Sequence, residues 1–111
     1  LVNATIEALI IFEKNICVDL NDVAVNLLGL KAKSDLLGRE IFEIFTDITD
    51  EHKTQLLDNS IDHFFEDTLI RNDNEILDIQ IKEKNLQLEN KALKIIAIID
   101  ITQIKQKEQM L

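Results

Sequence analysis

The sequence predicts an α+β fold built on an antiparallel sheet. Two observations lead there. Strand-like segments group at two places, residues 8–20 and 64–100, with polar connections inside each group. The stretch between the groups carries apolar residues at helical spacing, punctuated by capping residues and by the chain's two glycines. Strands clustered in this way, with helices between the clusters, favour an antiparallel sheet over a parallel α/β one.

Residues 8–12 are β-friendly and end at the turn Glu13, Lys14, Asn15, which predicts a hairpin with a second strand over residues 16–20. In that strand Ile16, Val18 and Leu20 alternate with Cys17 and Asp19. Asn21 is an N-cap by type, Ala24, Leu27 and Leu28 form one helical stripe, and Gly29 stands where a helix should stop. A short turn follows, with Ser34 as cap, Leu36 and Leu37 as apolar pair and Gly38 as stop. A third helix carries Ile41, Phe42, Ile44 and Phe45, and a fourth, from about Glu51, carries Leu56, Leu57 and Ile61.

From Phe64 the period drops toward two. Residues 64–71 read as a strand, residues 72–74 as a turn in which Asn74 tolerates positive φ, and Leu77, Ile79 and Ile81 as a half-buried strand. Residues 85–91 read as a polar connection. Residues 92–100 are apolar at nearly every position, which predicts a central strand covered on both faces. Good helix formers without strand pattern continue from about Gln103.

Composition narrows the function. The chain has 111 residues, room for one domain, and 46% of them are apolar, enough for a continuous core. A net charge of −9 disfavours nucleic acid and anionic membrane surfaces as partners, and zero Trp and Tyr remove the usual base-stacking platforms. The longest apolar run, residues 95–99, is far short of a membrane span. One cysteine allows no internal disulfide and no multi-Cys zinc site, and it fits a cytoplasmic location. No metal site, phosphate loop or nucleophilic triad is visible, so an enzyme is not expected. Beginning at Leu1 and ending in Gln-Met-Leu, the chain reads as part of a larger protein.

Three pieces carry a family resemblance. Residues 9–21 form a hairpin ending in Asn and lead into residues 22–29, a helix closed by Leu-Gly. Residues 64–76 are the second piece. The third, residues 95–102, ends in Asp100, Ile101 and Thr102. In this order the pieces resemble the PAS domain, a cytosolic sensor module, over about residues 5–102. The Asp-Ile-Thr resembles the motif that ends such domains and begins their output helix. Asp73-Asn74 stands where many relatives have Asp-Gly, and Leu30 where an aromatic often follows the Gly.

The resemblance implies a PAS-like five-stranded antiparallel sheet, short helices on one face, a single domain over 1–102 and the start of a signalling helix over 103–111. It implies a non-catalytic sensing and dimerisation module that forms a homodimer and drives an output domain in the same chain. A histidine kinase of a two-component system is the favoured output, a diguanylate cyclase the alternative. The last helix would begin a coiled-coil seam through Ile101, Ile104 and Leu111. Asp100, Ile101 and Thr102 are the expected signal-transfer residues, with Asp100 and Thr102 capping that helix and tying it to the sheet.

Cofactor expectations also follow from the resemblance. The chain lacks the Asn-Cys-Arg-type motif of flavin-binding relatives. A haem sensor is the rival reading, with His63 or His52 as iron ligand. A small organic ligand is also open, with Thr68, Arg71 and Gln80 as candidate contacts in a cavity between the sheet and the helices. That cavity is otherwise filled by Phe, Leu and Ile.

Overall fold

The computed structural model describes residues 7–110. Its strands are β1 (Ala8–Glu13), β2 (Ile16–Leu20), β3 (Phe64–Ile70), β4 (Ile76–Leu88) and β5 (Lys91–Asp100). They form one five-stranded sheet, every pairing antiparallel, in the order β2-β1-β5-β4-β3. Helices α1 (Asp22–Leu27), α2 (Ile41–Ile44) and α3 (Asp50–Leu57), with a 3₁₀ turn at Lys33–Asp35, lie between β2 and β3; α4 (Thr102–Gln109) follows β5. This is the predicted α+β architecture, with β5 at the centre.

Local chemistry explains the joints. Lys14 and Asn15 both take positive φ (51° and 64°), the backbone of a two-residue hairpin turn whose twist matches the strands. The Asn21 carboxamide oxygen accepts the Ala24 N–H at 2.9 Å and the Leu9 N–H at 3.0 Å, so one side chain caps α1 and fastens it to β1. Gly29 has φ +71°, a conformation that favours glycine, and a Cβ there would lie 3.1 Å from Arg71 Nη2, a tight contact to that side chain. The free edge of β2 is covered by the segment after the 3₁₀ turn: Cys17 N–H donates to the Arg39 carbonyl and Gly38 N–H to the Cys17 carbonyl.

The core lies between the sheet and α1 to α3. Ile10, Phe12, Ile79, Ile81, Ile96 and Ile98 meet Ala24, Ile41, Phe45 and Leu56, all essentially fully buried. Apolar burial of this kind is the main force holding the layers together.

Several expectations need correction. In β2 a register shift opposite Ile11 and Phe12 turns Cys17 inward with Leu20 and leaves Ile16 and Val18 exposed. Ser34 is not a cap: the Asp35 carboxylate accepts the Lys31 and Ala32 N–H groups, and Leu37 is exposed. Helix α3 ends at Leu57 and buries Leu56 alone; Leu57 and Ile61 face out. Residues 85–91 are not a loop. The strands run on to Leu88 and from Lys91 around a two-residue turn, where Glu89 takes φ 50°. Strand β5 is covered fully on its inner face only, since Leu93, Ile95 and Ile99 on the outer face are half-buried. Leu111, expected in the last helical seam, lies outside the described residues, as do residues 1–6.

Candidate functional site

Two places on the sheet carry polar chemistry. The first is the junction of β5 with α4. Asp100 Oδ1 accepts the Thr102 N–H at 2.9 Å, satisfying a donor that a helix start leaves free. The Thr102 hydroxyl accepts the Asp78 N–H at 3.0 Å, and the Ile101 N–H donates to the Asp78 carbonyl at 2.8 Å. Ile101 is buried. Lys105 Nζ lies 2.7 Å from Glu66 Oε1 on β3, and that contact raises the affinity of the lysine for its proton. The first turn of α4 is thus tied to β4 and β3, not to β5 alone.

The second place is the opposite end of the inner face. Glu83 and Lys94 are both buried there and form an ion pair across β4 and β5. Asn85 stands directly opposite Lys94 in the ladder, and its Oδ1 accepts from Lys94 Nζ at 3.0 Å. Glu83 Oε1 accepts from His63 twice, from the backbone N–H at 3.1 Å and from ring Nδ1 at 2.5 Å. With a carboxylate as partner, Nδ1 carries the hydrogen. Asn85 also holds the incoming linker, donating its backbone N–H to Asp62 Oδ1 at 2.8 Å and its side-chain N–H to the Ile61 carbonyl at 3.2 Å, which fastens residues 61–62 to β4.

A cavity of about 360 Å³ adjoins this row. Phe12, Leu86 and Leu93 supply its apolar wall, and Asn59, Asn85 and Lys94 are among its polar lining. Helix α3 stops at Leu57 before reaching it, and Ile61 in the linker faces solvent.

A family model for the PAS domain matches residues 6–103. The chain belongs to the PAS domain family. Solved structures agree on the fold. The PAS domain of an HTR-like protein from Haloarcula marismortui is 22% identical, with TM-score 0.70 and 86% of each chain covered. The PAS domain of the fruit-fly ELK potassium channel is 19% identical, with TM-score 0.75 and 90% of each chain covered. The LOV domain of a blue-light activated histidine kinase from Erythrobacter litoralis is 17% identical, with TM-score 0.72, covering 86% of this chain and 96% of that one. No curated protein matches in sequence. The PAS fold is sensory and generally non-catalytic, and no described helix is long and apolar enough to cross a membrane.

Within this PAS domain the residues singled out from sequence lie apart. His52 Nδ1 is 2.5 Å from Asp67 Oδ2, and its ring stacks on Phe65 with centroids 3.9 Å apart. Burial pushes the Asp67 carboxyl up, but hydrogen bonds from His52 and from the Thr49 and Thr68 N–H groups outweigh it and hold the group below its ordinary value. Neither histidine lines the cavity. Thr68 donates its hydroxyl to Asp47 at 2.8 Å, and Gln80 alternates with the inward Ile79 and Ile81, which places it on the outer face. Arg71 pairs with Glu75 at 3.1 Å and reaches the Asn26 carbonyl at the end of α1. Thr68 and Gln80 do not line that cavity, whereas Arg71 lines a second one of about 640 Å³ beside the short helices, with Leu28, Leu30, Ile70 and Asn72. Burial pushes the Cys17 thiol up, although a contact to the Asp19 carbonyl opposes this, so the thiol is a poor nucleophile.

Sequence reasoning missed Glu83, Asn85, Lys94 and Asp78. A signal for the first three was present. Glu83 and Asn85 continue the phase of Ile79 and Ile81, and Lys94 shares the phase of Ile96 and Ile98. Charged residues in phase with a buried face are rare unless paired.

Proposed function

We propose that this PAS domain relays a stimulus from its sheet through α4 to an output domain in the same protein, a histidine kinase in the favoured reading and a diguanylate cyclase as the alternative. One observation carries this: the first turn of α4 is hydrogen-bonded to the backbone of β4 through Thr102 and capped by Asp100. A displacement of β4 therefore moves the start of the helix. Only a few kcal/mol of difference between two packings would suffice to shift output. Asp100, Ile101 and Thr102 are the signal-transfer residues, and 103–111 begins the output helix.

The domain acts as a cytoplasmic homodimer in this reading. Support comes from the outer sheet face, where Leu9, Ile11, Ile95 and Ile99 of neighbouring strands form an apolar stripe, whereas β4 presents Lys82 and Lys84 there. The haem reading has no such support: neither His52 nor His63 lines the cavity.

The test uses the parent protein. Asp100→Ala and Thr102→Val are expected to hold output activity at one level across conditions that swing the wild type, with the circular dichroism spectrum unchanged. Normal regulation in both variants overturns the relay.

A further inference from the structure

We propose that two copies of this chain pack through the outer faces of their sheets, about a two-fold axis parallel to the strands, with Lys84 of each copy against the partner's Asp19. The inference rests on the homodimer reading and adds its interface and its symmetry.

Register is the first argument. On the outer face four residues stand in one row across the sheet. Lys84 of β4 is opposite Ile95 of β5, Ile95 is opposite Ile11 of β1, and Ile11 is opposite Asp19 of β2. The row therefore runs basic, apolar, apolar, acidic. Lys84 and Asp19 are exposed, and neither makes an ion pair among the described residues. Asp19 Oδ1 accepts the Leu20 N–H at 2.8 Å, and Oδ2 remains for a second donor. Helix α4 is tied to Glu66 on β3, at the opposite edge of the sheet from β2.

A two-fold axis makes a surface meet itself: where residue i touches j, j touches i. Turned about an axis that runs along the strands between β5 and β1, the row lies on its own reverse. Ile95 then faces the partner's Ile11, and Lys84 faces the partner's Asp19, each contact occurring twice. The neighbouring row behaves alike. Ala97 and Leu9 stand opposite each other on β5 and β1, so Leu9 faces the partner's Ala97. Packed sheets lie about 10 Å apart with strands within about 30° of each other. A lysine stem from one sheet and a short carboxylate from the other together span that gap.

Charge is the second argument. At a net charge of −9, two copies repel unless they meet where acids are few or are answered by bases. The aliphatic stripe of Leu9, Ile11, Ile95 and Ile99 has Lys84 on one side and Asp19 on the other. The other face-to-face two-fold has its axis across the strands and lays β4 on β4. Lys82 and Lys84 then oppose the partner's lysines, which like charge disfavours. That arrangement also sends the two α4 helices out at opposite ends. The strand-parallel axis keeps both copies pointing one way, so both helices leave from the same end, as paired output helices require.

The experiment is sedimentation velocity of this chain over a concentration series. The wild type is expected to dimerise, more weakly in high salt. Lys84→Asp sets acid against acid and Asp19→Lys sets base against base, so each should weaken the dimer by about tenfold or more. An equimolar mixture of the two variants restores opposite charges at both contacts and should dimerise like the wild type. Lys84→Ala should weaken the dimer too; with lysines opposed it would tighten it. Circular dichroism checks each fold. Lys84 is exposed, so its two variants decide the matter even if Asp19→Lys, which loses the bond to Leu20, does not fold. A chain that stays monomeric up to about 1 mM overturns the interface and the homodimer reading together. A dimer indifferent to Lys84→Asp, a dimer tightened by Lys84→Ala, or a mixture of folded variants that stays monomeric overturns this interface alone and leaves the homodimer reading standing.

Discussion

Near α4 the inner faces of β4 and β5 present Leu77, Ile79, Ile81, Ile96 and Ile98 to the helices, all of them buried aliphatic side chains. Two residues further along the same strands, the inward positions are Glu83, Asn85 and Lys94. The backbone ladder is continuous through both regions, so hydrogen bonding does not distinguish them. What differs is cover. Helices close over the aliphatic end, while the polar end meets only the linker after α3 and a cavity. One strand pair thus carries an aliphatic core at one end and a buried ion pair at the other, and mutations at its two ends should fail for different physical reasons.

Predictions follow from the largest effect to the smallest. Glu83→Ala leaves the Lys94 ammonium buried without its partner and should destabilise the domain by about 3–5 kcal/mol in urea unfolding. If Glu83→Leu/Lys94→Met is instead close to wild type or more stable, the polar end is confirmed as a site kept for something other than stability. At the aliphatic end, Ile79→Ala should cost about 2–5 kcal/mol through lost burial and a residual cavity, and no second substitution of a charged residue should restore it. Asn21→Ala removes the α1 cap and the link to β1, for about 1–2 kcal/mol in the same assay.

Asp67 gives the smallest effect, and it depends on pH. Its folded value is held below the unfolded one, so its contribution is present above about pH 4 and disappears as the pH falls through the folded value. Melting temperatures of wild type and Asp67→Asn should therefore differ at pH 7 and converge by about pH 2. A gap that persists at low pH would show that the carboxylate charge is not what matters.

The chain's order of elements was legible from local signals. The Asn21 cap, the stops at Gly29 and Gly38, the positive φ of Asn74 and the tight turn after Glu13 are each decided within a few residues, by backbone sterics and side-chain hydrogen bonds. The α4 junction was legible for the same reason, because Asp100 and Thr102 are two residues apart. Tertiary structure alone decided the rest. The inward turn of Cys17 depends on a register shift against β1, the Thr102 hydroxyl finds Asp78 from 24 positions away, and the Glu83 cluster joins His63 and Lys94 from three different strands or their approaches. A polar residue's partner is set by which strands lie side by side, and in an antiparallel sheet that follows from long-range packing, to which local sequence is blind.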